Sequence, residues 1–186
     1  MHSDDVKAIV REAYGAIDSS SEAIAYKLYS PEELALVPSS AIEGALGVGN
    51  HLRFGEIEQG ETILDLGCGA GIDSILAAHR TGPGGRVIAL DFLPEMLMRT
   101  AAAADEAGLD NVETLEAEIE AIPLPAASVD HVISNGVVNL APRKRRVLAE
   151  CARVLRPGGK LSIADLTVGD DELPPEILTH PATWAG

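Results

Sequence analysis

The stretch Asp65-Leu-Gly-Cys-Gly-Ala-Gly71 places glycines at 67, 69 and 71 between an apolar run and a helical stretch. Glycines at such a junction let the backbone turn sharply, and they bring a ligand against a helix N-terminus with no Cβ in the way. Twenty residues beyond Gly71, Asp91 closes the run RVIALD, where a carboxylate can take two ribose hydroxyls. The pair predicts a nucleoside-binding site. The dinucleotide fingerprint G-x-G-x-x-G would need glycine at 72, and the chain has Ile72, which disfavours a nicotinamide-dependent oxidoreductase. The bland alternative, a tight strand-to-helix turn in some other α/β protein, leaves Asp91 unexplained.

The elements that must carry this loop follow from hydropathy. Five apolar runs of strand length, Thr62–Leu66, Arg86–Asp91, Val112–Ala117, Val129–Ser134 and Lys160–Leu166, alternate with helical stretches at 72–79, 94–107 and 143–155. Gly108 and Pro157-Gly158-Gly159 read as helix stops. Nearly continuous apolar strands alternating with helices predict a parallel sheet covered on both faces. Ahead of it, Asp4–Ile17 has a helical pattern and ends in Ser19–Ser21. Ser30-Pro31-Glu32-Glu33 reads as an N-cap with a capping box, and Glu43–Asn50 is a glycine-bearing loop. Residues 1–55 thus read as a helical lid segment and 56–186 as the core of a single domain.

Composition narrows the partners. With 29 acidic against 14 basic residues, the net charge is −15, which repels phosphate backbones and anionic lipid. Neither nucleic acid nor a membrane surface is expected. The acidic start MHSDDVK is unlike a signal peptide, so a cytoplasmic protein is expected. Cys68 and Cys151 give no disulfide framework, and no spacing suggests a metal site.

DLGCGAG with VIALD, AEIEAIPLP, VDHVISN and RVLRPGGKLSIAD, in that order, resembles the class I S-adenosylmethionine-dependent methyltransferases. YSPEEL, LGVGN, DFLPEM and ISNGVVNLAPRKRRVLAECARVLRPGG are most similar to the arsenite methyltransferase-like (methyltransferase type 11) branch. The resemblance implies a Rossmann-like sheet of order 3-2-1-4-5 and S-adenosylmethionine as methyl donor, leaving S-adenosylhomocysteine. It places Asp65, Gly67, Cys68 and Gly69 under the methionine moiety and Asp91 on the ribose. Phe92 and Leu93 would flank the adenine, with Glu118 and the Ile119 amide at its edge, and the Asn135 carbonyl would meet the ammonium. The simpler readings are solvated acids at a strand end for Glu118 and Glu120 and a core ring for Phe92; the donor role is favoured for Asp91 and for Glu118.

The resemblance also raises a question about the acceptor. Arsenite methyltransferases hold As(III) through cysteines, and the matching positions here are Val48 and Gly136, with a third expected beyond Trp184-Ala185-Gly186. Cys68 reads as a loop filler and Cys151 as a small buried hydrophobe. An organic small-molecule acceptor is therefore expected, with Gly136 leaving room for its bulk. Two alternatives stand beside it, an arsenite methyltransferase homologue and a protein that binds the donor without turnover.

By location, Asn50, His51, Asn135 and Asn139 are the acceptor candidates, with Tyr14 and Tyr29 closing the lid. His51 is the candidate general base for a hydroxyl acceptor, against the simpler reading of an exposed loop histidine. His131 reads as structural. Arg143, Lys144, Arg145 and Arg146 read as a solvated helix start with local ion pairs. After Leu166 only 20 residues follow, too few for the family's usual C-terminal antiparallel hairpin. The fifth strand is then a bare edge, which leaves three alternatives: a fragment of a longer protein, edge pairing in a homodimer, or cover by the tail from Val168. A C-terminally truncated chain that dimerises or covers its edge is expected.

Overall fold

The computed structural model describes residues 22–167. The expected helix at Asp4–Ile17, Tyr14 and the tail from Val168 lie outside the described residues.

Five parallel strands, β1 (Thr62–Leu66), β2 (Arg86–Asp91), β3 (Val112–Glu116), β4 (Val129–Asn135) and β5 (Leu155–Ala164), pair in the order β3-β2-β1-β4-β5. Among the described residues three short α-helices precede the sheet: α1 (Glu22–Leu28), α2 (Pro31–Leu34) and α3 (Ser39–Ile42). Three longer ones alternate with the strands: α4 (Ile72–Thr81), α5 (Pro94–Glu106) and α6 (Lys144–Val154). Alternate residues of the central strands serve opposite faces. Ile63, Val87 and Ile133 pack with α4, while Leu64, Leu66, Ile88, Leu90 and Val132 pack with α6. The α6 contribution is the stripe Val147, Cys151 and Val154, spaced one helical face apart, so Cys151 is indeed a small core residue.

The lid segment shares the first of these cores through Ala25, Tyr29, Leu34, Val37, Ala41, Ile42 and Leu52. The capping box forms as read: Ser30 Oγ accepts from Glu33 N at 3.3 Å, and Ser30 N donates to Glu33 Oε2 at 2.9 Å. The Glu33 carboxylate also receives Arg80 of α4 at 2.9 Å and the Asn50 amide at 3.0 Å, which pins the lid to the core.

The edge strand differs most from its expected limits. β5 begins at Leu155, directly out of α6, and Pro157-Gly158-Gly159 lies inside it. The register slips there, with Leu155 opposite Val129 but Lys160 already opposite His131, a bulge that Gly158 permits at φ 83°. At the other end the strand stops at Ala164. Asp165 turns its carboxylate to accept from Asn139 N and Leu166 N, at 2.9 and 2.8 Å, in place of continuing the ladder. His131 is structural, buried in β4 with Nε2 2.8 Å from Ser162 Oγ. No described helix is long and apolar enough to cross a membrane.

Candidate active site

A cleft of about 1220 Å³, counted to where it opens into solvent, lies at the C-terminal ends of β1, β2 and β4. That is the position where open parallel sheets bind ligands. One wall is the lid loop Gly44–Gly47; the others are the loops after β1, β2, β3 and β4.

The turn after β1 is held against the β2 carboxyl end. Gly67 N and Cys68 N both donate to Leu90 O, at 2.8 and 3.0 Å, and Gly69 N donates to Asp91 Oδ2 at 3.1 Å. Gly69 has φ 55°, and a Cβ there would meet nothing within 4 Å, so its bare backbone faces open space in the cleft. Leu93 N occupies the other Asp91 oxygen at 3.0 Å. The Phe92 amide bonds this carboxylate as well, and of its roughly four lone-pair sites some acceptor capacity is left for a ligand hydroxyl.

Electrostatically the cleft is one-sided. Asp65, Asp73, Asp91, Glu118 and Glu120 line it, and no lysine, arginine or histidine does among the described residues. Asp65 is only 2% exposed and accepts from Ser74 Oγ at 2.6 Å. Burial, then the neighbouring charges of Asp73 and Asp91, push its pKa up to about 8, against the opposing Ser74 hydrogen bond. Burial also raises Asp91, partly offset by the amides of Leu93, Gly69 and Phe92. Asp73 accepts from Tyr29 Oη at Oδ1, 2.9 Å, and from Asn135 Nδ2 at Oδ2, 2.9 Å. The Tyr29 hydroxyl is raised by its own burial and then by Asp73, so it stays protonated. The Cys68 thiol is raised by burial and by Asp65 and Asp91, the opposite of what a thiolate metal ligand needs.

The structure brings every residue assigned to the donor, from Asp65 and Gly67 through Glu118, Ile119 and Asn135, to the wall of this one cleft. It does not bring the two catalytic candidates there. His51, in the lid segment itself, is 4% exposed, with both ring nitrogens unpartnered and its pKa lowered chiefly by burial. It is neither an exposed loop histidine nor a base within the cleft. Asn139 is also outside the lining; its backbone N–H donates to Asp165, and its side-chain Oδ1 is buried without a hydrogen-bond partner. Asn50 faces Leu28 O and Glu33 rather than the cleft.

Three further readings change. Glu120 is a buried acid, bonded to Arg143 N at 2.8 Å and Nε at 3.3 Å, and not a solvated one. Arg146 Nε donates to Glu120 O at 2.7 Å, so Arg143 and Arg146 reach across the fold to Glu120 rather than pairing locally. Gly136 does not leave a void either. It has φ 71°, and a Cβ there would meet Val48 Cγ1 at 3.2 Å. The glycine answers a left-handed backbone at the end of β4, where its N–H donates to Ala164 O at 2.8 Å. The lining residue that sequence reasoning missed is Asp73. Its signal was an acid one residue after Ile72, in the first turn of α4, where helices commonly carry one.

Comparison with known proteins agrees with this geometry. The methyltransferase domain family model matches residues 57–185. An arsenite methyltransferase of Halobacterium salinarum is 42% identical over 158 residues, 85% of this chain but 40% of the relative. A demethylmenaquinone methyltransferase of Listeria welshimeri is 35% identical over 114 residues, 61% of this chain and 48% of the relative. The chain thus spans about two fifths to a half of these relatives' length. Among solved structures, an arsenic(III) S-adenosylmethionine methyltransferase of Chlamydomonas reinhardtii superposes with TM-score 0.74 at 36% identity. The match covers 82% of this chain and 53% of that one. A SAM-dependent methyltransferase of Aquifex aeolicus gives 0.62 at 27% identity, covering 95% and 80%. On a match that runs through the whole sheet and the cleft loops after its strands, the chain belongs to the methyltransferase domain family and has its Rossmann-like, class I fold.

Proposed function

We propose that this chain transfers a methyl group from S-adenosylmethionine to a small organic acceptor held between the lid loop and the segment after β4. The observation that carries the donor half is the cleft's five carboxyl groups with no basic side chain in its described lining, Glu120 being paired with an arginine, Arg143, from outside it. Such a site selects a ligand bearing a sulfonium and an ammonium, and it repels the pyrophosphate of a dinucleotide. The bare Gly69 backbone and the spare acceptor sites on Asp91 fit a nucleoside.

S-Adenosylmethionine supplies an already activated methyl group, so the protein's part is alignment and exclusion of water. Asp91 holds the ribose hydroxyls, Glu118 and Ile119 the adenine edge, and Phe92 and Leu93 its faces. Asp65 and the Asn135 carbonyl face the ammonium. No histidine or lysine lines the described cleft, which suits an acceptor that arrives as a ready nucleophile.

The organic acceptor is supported by the wall around Gly136. Val48 and Gly136 meet there without a soft ligand, and neither Cys68, held protonated, nor Cys151, inside α6, supplies one. The likeness to demethylmenaquinone methyltransferases points the same way. The second reading is arsenite, favoured by the 42% identity to the Halobacterium salinarum enzyme.

Calorimetric titration of S-adenosylhomocysteine, with Asp91→Ala as control, tests the donor site. Saturable binding that the substitution weakens at least about tenfold supports it; no binding by the wild type overturns it. Incubation with arsenite and S-adenosylmethionine then tests the acceptor, and methylarsenate as product transfers the function to the second reading.

A further inference from the structure

We propose that the Asn135 side chain is the latch that holds the lid loop closed over the cleft and so sets how long the donor stays bound. The inference rests on the donor reading above, but it concerns a group that reading does not use. The donor contact assigned to Asn135 is its backbone carbonyl; the side chain points to the lid.

Its Oδ1 accepts from Val48 N at 2.9 Å and Gly49 N at 3.2 Å. Its Nδ2 lies 2.8 Å from Gly49 O, 3.1 Å from Tyr29 Oη and 2.9 Å from Asp73 Oδ2. One amide therefore ties together the lid loop, the residue after α1 and the first turn of α4, all from the end of β4. Tyr29 closes the circuit by donating to Asp73 at 2.9 Å.

The loop is shaped for this contact. A Cβ on Gly47 would sit 2.6 Å from Asn135 Nδ2 and 2.9 Å from its Cγ. A Cβ on Gly49 would sit 2.9 Å from the Ala164 side chain at the end of β5. Gly47 and Gly49 are thus seated against Asn135 and the β5 terminus at distances only glycine allows. Gly44, Ala45, Leu46 and Gly47, just upstream, form the cleft wall. Releasing Asn135 frees that wall while leaving the sheet paired. Asn135 is in this respect a positioning residue, acting on the donor through the loop.

The test is hydrogen exchange of the Val48 and Gly49 amides in the ligand-free protein, together with the stopped-flow dissociation rate of S-adenosylhomocysteine. Asn135→Ala is expected to speed exchange at both amides and donor release by about tenfold or more, with Leu64 in β1 unchanged. Gly47→Ala, which leaves every polar atom of Asn135 in place, is expected to do the same by displacing the loop. Tyr29→Phe, which removes one member of the circuit, should move both rates less and in the same direction. A purely structural role would alter protection throughout the sheet and leave donor release unchanged in variants that stay folded. If Asn135→Ala does not fold, Gly47→Ala and Tyr29→Phe decide the matter. Wild-type protein that fails to bind S-adenosylhomocysteine sinks the donor reading, whereas wild-type binding with unaltered release in the folded variants sinks the latch.

Discussion

Asp65 gives the sharpest test of the electrostatic reasoning. Its carboxyl is buried beside Asp73 and Asp91, and its pKa rises from 3.8 to about 8. The unfolded chain releases this proton near pH 4 while the folded chain keeps it. Between these values the native state binds more protons, so its stability falls as pH rises and levels off above pH 8. At about 1.4 kcal/mol per pH unit the ceiling on the loss is about 6 kcal/mol. Relaxation of the site and an effective interior dielectric near about 20 reduce it to about 1–3 kcal/mol.

Asp65→Asn is close in shape to the protonated acid and still accepts from Ser74. Thermal melts of the ligand-free protein should coincide for the two forms at pH 5. At pH 9 the variant should melt about 3–10 °C higher. Donor affinity should change in the opposite sense, because the cation loses its nearest carboxylate. Wild-type binding of S-adenosylmethionine at pH 7 should expel a proton, seen as a calorimetric heat that varies with buffer ionisation enthalpy; in the variant that dependence should shrink. Melting curves that stay parallel from pH 5 to 9, with no proton released on binding, would refute the argument that the cleft stores repulsion for a cation to relieve.

Two further outcomes follow from buried polar groups. His51 has both ring nitrogens unpartnered, and burial lowers its pKa against the pull of Asp73, with Arg80 and His131 also near. Its contribution is complete above the unfolded value of about 6.5 and is lost as pH falls below it. His51→Leu should therefore flatten the acid limb of the stability profile and gain about 1 kcal/mol or more at pH 5; an unchanged slope between pH 7 and 5 would count against this. Glu120 is 2% exposed and accepts from Arg143 N, Nε and Nη2. In urea titrations Glu120→Ala should cost about 2–3 kcal/mol and Glu120→Gln roughly half as much. Equal losses in the two variants would mean that volume rather than hydrogen bonding holds that loop.

What was legible in the sequence follows from which physical signals are local. β1 and β2 match their expected limits residue for residue, because strands buried on both faces read as unbroken apolar runs. β5 at the edge carries no such signal, and Pro157-Gly158-Gly159 has the same composition in a bulged strand as in a helix stop. Asp91 was legible because its distance from Gly71 is set by one helix and one strand, a spacing that survives any variation in packing. Asp73 and His51 were not, since one looks like an ordinary first-turn acid and the other like a polar loop residue. Only the docked lid buries them, and the docking partners are far apart in the chain. Asn135 shows the limit most plainly. Its position at the rim of β4 was evident from the strand pattern, and so was its neighbourhood to the donor. The work of its side chain depends on amides 86 and 87 residues away, in a loop whose only local mark is the spacing of its glycines. Those glycines are spaced by the need to meet Asn135 and Ala164 at close range, so the sequence records the contact on one side only, as missing side chains.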